Sequence, residues 1–430
     1  MGAPLASCGR AAAGPAVAPR LDAAATRTLD SPAEIVEKPV TSSIDLPADA
    51  QTRAVRAGLD SDAVTGAVVP PIHLSTTYSF RGYDDKRAYD YSRSGNPTRD
   101  LLGNALADLE GGAGGVITGS GMGAITLVGH LCKVGARVVA QHDCYGGSFR
   151  LFEEWQRRGE FVVDFVDFGD PKAVRAALAT PAALVWIETP SNPLLRITDI
   201  AAVAELGHQA GALVAVDNTF LSPAWQQPLR LGADIVVHST TKYINGHSDV
   251  VGGAAIGKTP ELHERLAWWA NCLGLTGAPF DSYLTLRGLR TLHARLAVHS
   301  RNAQGLAEWL SVQPPVSRVY YPGLPAHPGH ALAARQQNGF GAIVSFELKD
   351  GIPAVKRFVT GLTCISLAES LGGVESLIAH PVTMTHAAMD AASRRAAGLT
   401  DGLLRLAVGI ESLDDLRTDL EAALTRARGC

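Results

Sequence analysis

The chain has 430 residues, of which 46% are apolar, 19% charged and 6% aromatic. That length exceeds one ordinary core and predicts two or three structural units with ample buried surface, which excludes disorder throughout. With 38 basic and 42 acidic residues the formal net charge is −4, so no global basic field exists to hold nucleic acid or an anionic membrane.

No run reaches the roughly 18 apolar residues that a membrane-spanning helix requires; the longest are strand-length pieces such as Ala182 to Ile187. The six cysteines, Cys8, Cys132, Cys144, Cys272, Cys364 and Cys430, contain no C-x-x-C pair. They read as reduced thiols in a cytoplasmic protein, with no metal site. A protein that handles small molecules is expected.

Residues 1–50 are rich in Ala, Pro, Ser and Gly, lack aromatics and show no apolar periodicity. They read as a disordered extension. Next comes the Gly-rich segment from Gly111 to Gly123, ahead of a helical stretch with Ile125, Val128, Leu131 and Cys132 on one side. Small residues at a helix start let backbone N–H groups close on an anion, so a phosphate site is expected in this segment; tight packing is the alternative.

From Gly111 to about Ala255 short apolar strands alternate with amphipathic helices. Val162 to Phe165, Leu184 to Glu188, Leu213 to Asp217 and Asp234 to His238 have the near-continuous apolar character of strands buried on both faces. Asp199 can cap a helix with Ile200, Val203 and Ala204 inward, and Gly211 can end it. The expected fold is α/β, a mostly parallel central sheet with helices on both faces. Beyond about Ser300 the pattern becomes helix (Asn302 to Leu310), strand (Gly341 to Glu347) and helix (Leu413 to Arg426), which predicts a smaller C-terminal α/β domain.

Two strand ends carry chemistry. Asp217 closes one apolar run, where open α/β sheets place their ligands, and a carboxylate there can keep a ligand nitrogen protonated; an ordinary cap or loop acid is the alternative. The next run leads into Ser239-Thr240-Thr241-Lys242-Tyr243. A lysine behind a buried strand, beside hydroxyls suited to phosphate, can bind an aldehyde. Phosphate cradle, strand-end acid and strand-end amine together are what pyridoxal phosphate needs.

Here the sequence resembles the pyridoxal-phosphate enzymes of cysteine and methionine metabolism, from about Thr52 to Arg426. The resemblance is carried by Val69 to Ser75 (VPPIHLS), Tyr91 to Thr98 (YSRSGNPT), Glu188 to Pro193 (ETPSNP), Val216 to Phe220 (VDNTF) and His238 to Tyr243 (HSTTKY). It implies a fold type I enzyme with an N-terminal arm at 51–100 that contacts a neighbouring subunit, a cofactor-binding domain at 101–300 and a C-terminal domain at 301–430. Lys242 would hold the cofactor and shuttle protons, Asp217 would face the pyridine nitrogen and Tyr145 would stack on the ring. Ser239, Thr241, Gly121 and Met122 would hold the phosphate, joined by Tyr91 and Arg93 from a neighbouring subunit. Asn192 would lie near the phenolic oxygen.

The same resemblance makes Arg405 the α-carboxylate clamp, assisted by Ser370, and assigns Asp90, Tyr91, Arg150 and Glu369 to substrate. Three further stretches, His142 to Arg150, Ala267 to Asn271 and Ala368 to Ser376, point within the family to γ-replacement: O-succinylhomoserine, or another activated homoserine, joined to L-cysteine to give cystathionine. A lyase acting on cystathionine or methionine, or a sulfhydrylase, is the alternative. The implied assembly is a homotetramer built from two dimers with shared sites, acting on small amino acids without nucleic acid or membrane.

Overall fold

The strand-length apolar runs do assemble side by side. A computed structural model describes residues 49–385 and 398–429; the expected extension at 1–50 lies almost entirely outside them. One sheet has seven strands: β1 (Gly114–Thr118), β2 (Ala136–Gln141), β3 (Phe161–Val166), β4 (Leu184–Glu188), β5 (Leu213–Asp217), β6 (Ile235–His238) and β7 (Gly253–Gly257). Their spatial order is β1-β7-β6-β5-β4-β2-β3, and β7 pairs antiparallel with β1 and β6 while the β6-β5-β4-β2-β3 pairs are parallel. Every residue of β4 and β6 is buried, as strands covered on both faces must be.

Local signals set the helices between them. Asn96 accepts from the N–H groups of Thr98 and Arg99, Pro97 opens the helix Pro97–Glu110, and Gly111 closes it with φ 78°. Asp199 accepts from the Ala202 N–H to start Ile200–Gln209, whose buried face holds Ile200, Val203 and Ala204 as expected.

A second sheet follows, of β8 (Val316–Tyr320), β9 (Ile343–Leu348), β10 (Ser366–Leu367), β11 (Leu377–Ala379) and β12 (Leu403–Ala407), in the order β10-β11-β12-β9-β8. The helices Leu292–Ser311 and Leu413–Ala427 accompany it. Sequence periodicity found only the second half of the first of these. Its buried face carries Arg295, His299 and Asn302 as well as leucines, which breaks the apolar repeat. Among the described residues no helix is long and apolar enough to cross a membrane.

The Gly-rich segment divides between two roles. Gly114 to Thr118 is strand β1, and its glycines allow close packing: a Cβ on Gly115 would lie 2.5 Å from the Gly103 carbonyl, and one on Gly103 would lie 2.4 Å from the Gly115 carbonyl. Only Gly121 onward forms a helix start. That helix ends at Gly129, so Leu131 and Cys132, expected on its face, lie beyond it.

The close approach of helix and strand brings Glu110, fully buried at the helix end, to His238 of β6 (Oε1 to Nε2, 2.7 Å) and to the Asn218 side chain after β5, which donates to it at 2.9 Å. One acid thus ties together the strand ends that carry Asp217 and Lys242. Overpacking a tight backbone contact costs about 1–3 kcal/mol or more. Gly103→Ala should therefore lower the urea midpoint of unfolding followed by circular dichroism, whereas an unchanged midpoint would mean the two backbones can separate freely.

Candidate active site

Because β4, β5 and β6 are parallel, their carboxyl ends share one rim, and Glu188 stands in register beside Asp217. A cavity of about 500 Å³ opens there. It has three chemically distinct walls.

The first begins the helix Gly121–Gly129. Ser120 Oγ accepts from the Gly123 N–H at 3.1 Å, while the N–H groups of Gly121 and Met122 have no partner within the helix. Gly121 lies against Ser239, where an added Cβ would sit 2.9 Å from the serine Cβ. Ser239 and Thr241 line the same wall. The Thr241 hydroxyl is also tied to Gly252, donating to its carbonyl at 3.2 Å and accepting from its N–H at 3.0 Å. A helix N-terminus with adjacent hydroxyls suits a phosphate dianion.

The second wall is flat and acidic. Tyr145, half-exposed, faces the cavity above Gly147, where any Cβ would lie 2.4 Å from the tyrosine ring. Asp217 is buried and accepts the Thr219 N–H at 3.0 Å, and the Thr219 hydroxyl accepts from the Ser239 N–H at 2.8 Å. Burial raises the Asp217 pKa, with the Thr219 bonds opposing. Glu188 is pushed well up, first by burial and then by the neighbouring Asp217 charge.

Two cations form the third wall. Lys242 Nζ donates to Ser370 Oγ at 2.7 Å. Burial, then the Arg405 charge, lowers its pKa to about 8, with Glu369 pulling the other way. Arg405 projects from β12 and is 3% exposed. Its Nη1 donates to Asn192 Oδ1 at 3.0 Å and its Nη2 to the Ser370 carbonyl at 2.9 Å, while its buried Nε has no partner. Burial brings its pKa down to about 10. Ser370, gripped through both hydroxyl and carbonyl, adopts φ 88°, a conformation uncommon for a residue with a Cβ.

Comparison with known proteins identifies the family. Residues 51–425 match the Cys/Met metabolism PLP-dependent enzymes. Cystathionine gamma-synthase of Escherichia coli (strain K12) is 57% identical over 371 residues, 86% of this chain and 96% of that protein. Cystathionine beta-lyase of Coxiella burnetii is 48% identical over 375 residues, 87% of this chain and 97% of that one. The crystal structure of cystathionine gamma synthase from Xanthomonas oryzae pv. oryzae in complex with aminoacrylate and cysteine superposes with a TM-score of 0.88 at 62% identity, over 89% of this chain and 100% of that chain.

The fold and site define a fold type I pyridoxal-phosphate enzyme. The chain belongs to the Cys/Met metabolism PLP-dependent family, and its cofactor is pyridoxal 5'-phosphate. The residues present fit that group, with free N–H donors for the phosphate, a buried carboxyl for the ring nitrogen, an aromatic face and an amine of lowered pKa.

Of the expected residues, Gly121, Met122, Tyr145, Arg150, Asn192, Asp217, Ser239, Thr241, Lys242, Glu369, Ser370 and Arg405 all line this one cavity. Asp90, Tyr91 and Arg93 are not part of its lining. Arg93 Nη1 instead donates to the carbonyl and Oδ1 of Asn271 at 2.8 and 2.6 Å, and Asp90 pairs with Lys86 Nζ at 2.8 Å. Sequence reasoning assigned no role to Glu188, although it ends a buried strand in the same way as Asp217.

A lysine pKa of about 8 means that the ammonium form blocks attack on an aldehyde below that pH. Uptake of pyridoxal phosphate by the apoprotein should accelerate about tenfold per pH unit up to pH ~8 and then level off. Stopped-flow absorbance can check this; a rate still climbing through pH ~10, as for a solvated lysine, would contradict it.

Proposed function

We propose that the enzyme joins O-succinylhomoserine, or a homoserine carrying another acyl group, to L-cysteine, releasing the acid and forming cystathionine. The observation that carries this reading is that Arg150 and Glu369 line the same cavity as Lys242 and Arg405. Two arginines serve the two carboxylates of the succinylated substrate, and one acid serves the ammonium of incoming cysteine.

Arg405 offers a buried, planar fork to the α-carboxylate, and this supplies the charge partner that its burial otherwise lacks. Bound pyridoxal phosphate provides the electron sink that lets Cα and then Cβ lose a proton. Lys242 is the base for both transfers, since its lowered pKa favours the free amine and Ser370 holds that amine beside the arginine. Asp217 keeps a proton on the ring nitrogen, and Tyr145 covers the ring face. The acyloxy group then leaves Cγ, the thiol of cysteine adds there, and Lys242 returns the protons.

Tyr91 and Arg93 are exposed on the arm and outside their own cavity. We infer that they complete the phosphate site of a neighbouring subunit, so that the working unit is at least a dimer, with two dimers forming a tetramer.

The purified protein, given O-succinylhomoserine and cysteine, should yield cystathionine; 2-oxobutyrate alone would assign it to the lyases. Glu369→Ala should depress replacement by cysteine several-fold more than elimination in its absence. Equal losses in the two assays would remove Glu369 from cysteine recognition.

A further inference from the structure

Glu188 is more enclosed than Asp217, at 4% against 8% exposed, and takes no part in the proton transfers above. Its own N–H donates to Gln141 Oε1 at 3.1 Å, and Gln141 Nε2 in turn donates to Asp143 Oδ1 at 2.7 Å. The backbone at the end of β4 is thus fixed from beneath. On the cavity side the Glu188 carboxyl accepts the Tyr145 N–H at 2.6 Å.

Tyr145 begins the helix Gly146–Arg157 without a side-chain cap, and its ring forms the flat wall of the cavity. This one carboxyl therefore sets the backbone position of the aromatic cover.

We propose that Glu188 is a positioning residue, fixing the Tyr145 ring over the cofactor through the Tyr145 backbone N–H. The proposal rests on reading this cavity as the cofactor site. Plain satisfaction of one buried donor would stabilise the fold and nothing more; positioning additionally demands that cofactor orientation and substrate affinity respond to loss of that bond. A glutamine keeps an acceptor oxygen for the Tyr145 N–H, whereas alanine keeps none.

The full chain loaded with pyridoxal phosphate, as wild type, Glu188→Gln and Glu188→Ala, tests this by visible circular dichroism and by separating KM from kcat. All three should absorb in the visible. The induced dichroism should stay within twofold of wild type in the glutamine variant and fall at least fivefold in the alanine variant, with KM for the amino-acid substrate rising only in the latter. A change under twofold in the alanine variant, or equal losses in both variants, would overturn the proposal. If Glu188→Ala does not fold, Glu188→Leu takes its place, filling the space without an acceptor oxygen: a fivefold fall supports positioning and an unchanged dichroism refutes it. An unsubstituted protein that binds no chromophore would instead overturn the cofactor-site reading.

Discussion

Lys242 and Arg405 stand in one enclosed wall, joined through the hydroxyl and carbonyl of Ser370, and among the described residues neither has an ion-pair partner. Bringing two positive groups together away from water is costly unless an anion completes the site. Burial lowers the pKa of both, to about 8 for Lys242 and about 10 for Arg405, and the Arg405 charge adds to the lowering at Lys242. The rest of the molecule holds this arrangement together. An amino acid with its carboxylate on the guanidinium relieves the unpaired charge, and the amine beside it, once free of its proton, is a nucleophile or base.

Sheet topology delivers these groups. Parallel β4, β5 and β6 bring Glu188, Asp217 and the Ser239 to Lys242 segment to one rim, and Glu110 secures two of those ends from behind. The second sheet contributes Arg405 from β12, flanked by β9 and β11. Ser345 of β9 donates to the Pro193 carbonyl at 2.7 Å, linking that sheet to the loop that holds Asn192. The site is thus the meeting line of two sheets, and its precision depends on backbone-to-backbone fits such as that of Gly103 and Gly115.

Much of this was legible in the sequence where local chemistry and long-range placement coincide. Strands β4 and β5 matched to the residue, because uninterrupted apolar runs ending in Glu188 and Asp217 admit few other readings. The Asp199 cap and the Ile200, Val203 and Ala204 face followed from helical periodicity. Long-range partnerships were not visible in the same way. The run from Gly111 to Gly123 reads equally as phosphate loop or tight packing because glycine carries the same signal for both; only the partner across the gap separates Gly115, which meets Gly103, from Gly121, which meets Ser239. The start of the helix Leu292–Ser311 was hidden because Arg295 faces inward to donate to the carbonyls of Tyr243, Ile244 and Gly288, a use of charge that periodicity reads as a solvent face. Glu188 looked like part of a motif until its carboxyl was seen to hold the Tyr145 N–H.

The most direct test of the central claim is borohydride treatment of the freshly purified protein, followed by peptide mass spectrometry. A pyridoxyl phosphate adduct confined to the peptide containing Lys242, and lost in Lys242→Ala, is the predicted result. An adduct on another lysine, or none in a protein that nonetheless turns over substrate, would contradict it.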